Sequence, residues 1–161
     1  MSDTIWICGL SGAGKTTIGR AVAARVGYLL DGDILRDGLN INLGHTIEGR
    51  RENIRRAAEV CKILNDAGVT VVAAFITPFP ELQQLVRMII PRVKMVYLDV
   101  PLMVCEARDP KGLYARARAG AITEFTGVSS PFVPPENPDL VLKEMDINDA
   151  VKKILCLLDR S

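Results

Sequence analysis

The chain has 161 residues, 48% of them hydrophobic and 24% charged, with a formal net charge of +1. That length fits one domain with a substantial core, and the composition belongs to a globular protein and not to a disordered or low-complexity one. A charge this close to zero gives no overall field to recruit nucleic acid or an anionic membrane, so any anion must be held by a local cluster.

Cys8, Cys61, Cys105 and Cys156 are widely spaced with no C-x-x-C pair, and they read as small apolar residues in a reducing compartment. His45 is the only histidine, which removes triads and metal sites needing two. No basic, apolar leader opens the sequence and no apolar run approaches about 20 residues, so the expectation is a cytoplasmic protein without a membrane span.

The first element is a strand, Ile5-Trp6-Ile7-Cys8. It leads into Gly9-Leu10-Ser11-Gly12-Ala13-Gly14-Lys15-Thr16-Thr17, a full match to G-x-x-x-x-G-K-[ST], and a helical pattern (Ile18, Ala21, Val22, Ala24, Val26) follows. Glycines at Gly9, Gly12 and Gly14 let successive N–H groups turn inward on an anion, with Ser11 and Ala13 between them. The helix that follows adds its N-terminal dipole at the same point. Lys15 supplies a charge for terminal phosphates, Thr16 a hydroxyl for the accompanying magnesium ion, and Thr17 completes the loop. Nucleoside triphosphate binding is the reading, since an idle turn has no need of lysine and two threonines after its last glycine.

Gly27 stops the first helix, and Tyr28-Leu29-Leu30 forms a second strand ending in Asp31-Gly32-Asp33. A short helix and a polar loop are expected over residues 34–48, then a long helix over about 49–67. A third, nearly continuous apolar strand spans 69–76 and stops at Thr77-Pro78. A helix over 81–90, a strand at 95–99, a helix from Pro101, a strand at 140–142 and a helix over 148–158 complete the chain. Residues 109–139 are basic, then rich in proline, and read as a functional lid. The alternation predicts a single α/β domain over residues 1–161 with a five-stranded parallel sheet. In such sheets ligands bind outside the carboxyl ends of the strands, where the phosphate loop, Asp31, Asp33 and Thr77 all fall.

In the long helix, Ile54, Ala57, Cys61 and Leu64 form one apolar stripe opposite Arg55, Glu59, Lys62 and Asp66. Arg50 continues that stripe and Asn53 borders it, so both are expected to face a crevice at the amino end of the helix; Arg51, Arg55 and Arg56 read as surface charges. Asp31 and Asp33 offer one carboxylate to orient water on magnesium and one to take a proton from an attacking hydroxyl, with Arg36 as a cation for an anionic acceptor. No N/T-K-x-D motif of guanosine switches is present. Phosphoryl transfer to a small molecule is the generic reading, with a non-catalytic nucleotide-binding protein as the alternative.

The sequence resembles the adenylylsulfate kinase (APS kinase) family. The resemblance rests on residues 9–17, Asp-Gly-Asp-x-x-Arg (31–36), Gly-Leu-Asn-x-Asn-Leu-Gly (38–44), Arg-x-x-Asn-Ile-Arg-Arg (50–56), Arg-Asp-Pro-Lys-Gly-Leu-Tyr (108–114), Ala-Arg-Ala-Gly (117–120) and Phe-Thr-Gly (125–127). It implies a P-loop kinase-like three-layer α/β/α fold with a basic lid, and transfer of the ATP γ-phosphoryl group to the 3′-hydroxyl of adenosine 5′-phosphosulfate (APS). It implies ATP and Mg2+ on residues 12–17, with Thr16 and Asp31 at the metal. It further implies an APS site lined by Asp33, Arg36, His45, Arg50, Asn53, Ile76, Thr77, Lys111, Phe125 and Thr126. Lys15, Asp31, Asp33 and Thr77 form the implied catalytic set, Asp33 as general base, and Lys111, Arg116 and Arg118 of the lid neutralise phosphate charge. Two residues depart from the family pattern: His45 stands where relatives usually carry phenylalanine, and Thr77 where they carry serine. Many relatives also have a longer segment before the first strand, so a homodimer is an assembly to test and not one to carry over. A same-family kinase acting on another nucleotide derivative stays open as the alternative.

Overall fold

In the computed structural model, which describes residues 2–144 and 146–160, five parallel strands alternate with helices along the chain. The strands are β1 (Thr4–Cys8), β2 (Gly27–Asp31), β3 (Thr70–Ala74), β4 (Val93–Leu98) and β5 (Leu140–Leu142), in the sheet order β2-β3-β1-β4-β5. The helices are α1 (Lys15–Val26), α2 (Gly32–Asp37), α3 (Ile47–Asp66), α4 (Pro80–Ile89), α5 (Leu102–Arg108), α6 (Leu113–Arg118) and α7 (Ile147–Leu158).

The central strand is buried on both faces, and its side chains alternate between two cores. Ile5 and Ile7 pack with Val72, Val96 and Leu98 beneath α1 and α7, which contribute Val22, Ala23, Val151 and Ile154. Trp6 and Cys8 pack with Val71, Ala73 and Met95 beneath α3 and α4, which contribute Ile54, Ala57, Cys61, Leu82 and Val86. Three layers result, as the sequence implies. The register pairs Ile7 and Asp31 with Ala74, and Cys8 with Tyr97. The carboxyl ends of the first four strands therefore finish level, and the loops that follow them share one rim.

Some boundaries move for local reasons. β3 ends at Ala74 and not at 76, although Phe75 N–H still donates to Ile7 O at 3.1 Å and Gly9 N–H to Ile76 O at 3.3 Å. Helix α3 starts at Ile47 because Thr46 caps it, its hydroxyl accepting Gly49 N–H at 3.1 Å. The segment 109–139 has two parts. Residues 109–130 hold α6 and a tight turn in which Phe125 O accepts the N–H groups of Val128, Ser129 and Ser130. The proline-rich remainder is fastened down: Val133 N–H donates to Pro78 O at 2.8 Å, Gln83 Nε2 to Val133 O at 2.8 Å, and Phe132 stacks on Tyr97. Among the described residues no helix is long and apolar enough to cross a membrane.

Candidate active site

The phosphate loop is shaped by its backbone. Gly12 and Gly14 have φ of 80° and 102°, left-handed values that side chains resist. Gly12 also lies against α5, where an added Cβ would stand 2.8 Å from Cys105 O. No side chain caps α1, as none caps α4, α5 or α6. Because α1 begins directly at the glycine loop, its first N–H groups are open to an anion. Lys15 Nζ donates to Leu10 O at 2.7 Å, and burial pushes this ammonium down to about 8.

Beside the loop, Thr16 hydroxyl donates to Asp31 Oδ2 at 2.5 Å, and Asp31 Oδ1 accepts Asp33 N–H at 2.9 Å. Asp31 thereby caps α2 and aligns Asp33 in the first turn. Asp31 is buried, at 5% exposure, whereas Asp33 is exposed and forms an ion pair with Lys111 of the lid. The exposed pair opens at little cost. Among the described residues no group of three or more His, Cys, Asp and Glu could hold a metal ion. Thr16 and Asp31 are two adjacent hard oxygen donors, a set that suits magnesium when phosphates and water complete its shell.

The opposite wall comes from the 36–53 segment and the end of β3. Arg36 Nη1 donates to Leu43 O and Gly44 O at 3.2 and 3.3 Å, bracing the loop that carries His45. His45 is exposed; partial desolvation first, then the Arg36 and Arg50 guanidiniums, hold its imidazole below the ordinary range. Arg50 donates to Ser130 Oγ at 3.3 Å and to Glu124 O, linking α3 to the lid. Asn53, on the same face one turn later, is buried. Ile76 is half-buried at the rim. Thr77 is a β-branched residue at φ 52°, a conformation such residues adopt only where surroundings impose it. Its hydroxyl accepts from Trp6 Nε1 at 2.9 Å and donates to Phe75 O at 3.1 Å. That hydroxyl is engaged in the core and is not presented to the crevice.

In the lid, Phe125 packs edge-on against Tyr114 and Thr126 is buried. Arg118 pairs with Glu106 of α5 instead of facing the loop, and Arg116 is exposed with no side-chain partner among the described residues. Three contacts escaped the sequence reading. Tyr114 hydroxyl donates to Ser11 O at 2.7 Å, and Arg108 Nη1 to Gly12 O at 3.2 Å, so both seat the lid on the phosphate loop. Arg56, read as a surface charge, donates to Asn42 Oδ1 at 2.9 Å and holds the turn before α3. Only the Arg-Asp-Pro-Lys-Gly-Leu-Tyr motif hinted at the first two.

Comparison with known proteins agrees with this geometry. Residues 1–143 match the family model for adenylylsulphate kinase. The adenylyl-sulfate kinase of Clostridium kluyveri is 48% identical over 96% of this chain and 82% of its own. That of Halothermothrix orenii is 46% identical over 97% and 89%. The structure of the Mycobacterium tuberculosis APS kinase CysC in complex with AMPPNP and APS superposes with a TM-score of 0.96 at 41% identity, covering 98% of both chains. Shikimate kinase from Aquifex aeolicus, at 21% identity and a TM-score of 0.56, shares the fold alone. A phosphate loop, a carboxylate pair and a basic lid on one rim, in a chain matched this widely, make it a member of the adenylylsulfate kinase family.

Proposed function

We propose that this chain transfers the γ-phosphoryl group of ATP to the 3′-hydroxyl of APS, giving 3′-phosphoadenosine 5′-phosphosulfate and ADP. The observation that carries the reading is the hydrogen-bonded run Thr16–Asp31–Asp33, which sets a solvent-open carboxylate beside the phosphate loop and one turn before Arg36 on α2. The helix N-terminus and Lys15 hold the triphosphate, and the crevice bordered by Ala13, Val100, Arg108 and Leu142 receives the donor base. Thr16 and Asp31 would hold magnesium, which would neutralise phosphate charge there. Asp33 leaves Lys111 and accepts the 3′-hydroxyl proton as the new O–P bond forms and the bond to the β-phosphate oxygen breaks. Lys111 is then released toward the phosphates, and Tyr114 and Arg108 keep the lid seated on the loop. Phe125 and Thr126 close over the acceptor. The reading includes work in the cytoplasm.

A coupled ADP-release assay with APS tests it. Turnover at micromolar APS is expected, and no turnover there sinks the proposal. His45 favours one second reading, a different nucleotide derivative as acceptor, and a panel of cytidine and guanosine nucleotides separates the two.

A further inference from the structure

Asn40 lies in the turn between α2 and α3 and is 0% exposed, although its neighbourhood is polar. Its Nδ2 donates to the Asn53 side-chain Oδ1 at 3.0 Å and, more weakly, to the Asn53 main-chain oxygen at 3.5 Å. The main-chain contact fixes the direction of both amides. A main-chain oxygen only accepts, so the Asn40 group facing it is NH2; the Asn53 side-chain atom facing that same NH2 is then the oxygen. Asn53 Nδ2 is left pointing away from Asn40. Asn53 is 6% exposed, and its Nδ2 has no hydrogen-bond partner among the described residues. The enclosed side-chain atom without a partner is a different one, Asn40 Oδ1. The free Asn53 donor is therefore not sealed in the core, and it stands one turn along α3 from Arg50 and its lid contacts.

The orphaned Asn40 oxygen is costly, and packing alone gives no reason to keep it. Turning the Asn40 amide over would set its oxygen against two oxygens of Asn53 and drive the Asn53 amide to rotate. We infer that Asn40 is a positioning residue: it locks the Asn53 amide so that the acceptor site meets an N–H donor there, selecting a ligand with a hydrogen-bond-accepting atom at that point. The inference rests on the acceptor site proposed above.

Steady-state kinetics on the full chain test it with Asn40→Leu, Asn40→Asp, Asn53→Ala and the Asn40→Leu/Asn53→Ala double variant. Leucine removes the lock and the orphaned oxygen together. The melting temperature is expected to stay within a few degrees while KM for APS rises about tenfold and KM for ATP moves less than about twofold. Aspartate confronts both Asn53 oxygens and is expected to raise KM for APS further. In the Asn53→Ala background Asn40→Leu is expected to add nothing, because its effect passes through Asn53. An unchanged KM for APS, an equal rise in both KM values, or full additivity in the double variant overturns the inference. Should the leucine variant fail to fold, Asn40→Ser replaces it under the same criteria. A wild-type chain that does not turn over APS overturns the acceptor site itself; an active wild type with unaltered Asn40 variants overturns only the role of Asn40.

Discussion

Residues 9–17 and residues 36–53 form opposite walls of one crevice, and they are held in different ways. In the phosphate loop the backbone sets the turn, with Ala13 N–H donating to Leu10 O, Ile18 N–H to Gly14 O and Gly12 in a left-handed turn against α5, and the side chains of Lys15, Tyr114 and Arg108 only add donors to its main-chain oxygens. In the facing wall side chains reach across to distant oxygens: Arg36 to Leu43 and Gly44, Arg56 to Asn42, Asn40 to Asn53 and Arg50 to Glu124. A backbone cradle recognises a phosphate whatever nucleoside carries it. A wall of side chains is particular to one ligand, and single substitutions retune it. Of the two departures from the family pattern, His45 falls on that second wall, whereas Thr77 lies past the end of β3 with its hydroxyl turned into the core.

Removing one group from the phosphate loop and one from the carboxylate run beside it should give the largest effects. Lys15→Ala deletes the charge that the proposed reaction sets against the transferred phosphoryl group, and a loss of about a thousandfold in kcat is expected in the ADP-release assay. A loss under tenfold would mean the cradle does not act on transferred charge. Asp33→Asn should cost about 10² to 10⁴ in kcat while ATP affinity, followed by calorimetry, is retained. If ATP affinity falls along with kcat, Asp33 belongs to the metal and not to the acceptor proton.

Thr77 sharpens the comparison by a smaller amount. Its hydroxyl joins buried Trp6 to the Phe75 main chain and keeps a left-handed turn at the end of β3. Thr77→Val preserves shape but leaves the Trp6 N–H without a partner at a fully buried site, so urea unfolding should report a loss of about 1–3 kcal/mol. Thr77→Ser retains the hydroxyl and should stay close to wild type. Equal stability of the valine and serine variants would remove the anchoring role.

The donor wall was legible in the sequence because its signal is local: glycines at fixed offsets, a lysine and a threonine, flanked by a strand and a helix. Arg50 and Asn53 were legible too, since a helical period of 3.6 extends an apolar stripe to both. Contacts that span the chain were not. Trp6 and Thr77 are 71 residues apart, and nothing near either announces their bond. Asn40 sat in a stretch that read as polar loop, and its burial comes from α3 closing over it. The lid anchors Arg108 and Tyr114 meet main-chain oxygens of the phosphate loop, which carry no sequence signature at all. The bonds that fasten Val133 and Asn137 to Pro78, Gln83 and Arg87 were hidden for a similar reason, since they too run to partners distant in the chain.

The smallest expected effect concerns protons at the acceptor wall. His45 titrates below its ordinary value of about 6.5 because desolvation and the Arg36 and Arg50 charges oppose the imidazolium. Its contribution to folding is therefore full above that value and declines as pH falls through the depressed pKa. Binding reverses the balance. An anionic acceptor seated between the two arginines offsets their charge, raises the imidazole pKa and takes up a proton, so affinity should increase as pH falls across the interval between the free and bound values. KM for APS should drop about two- to threefold from about pH 7.5 to 6 in the wild type, and His45→Phe, which keeps a flat ring without a proton to gain, should stay level over the same range. A parallel slope in the phenylalanine variant would assign the pH dependence to the ligand or to another group, and would leave His45 with stacking alone.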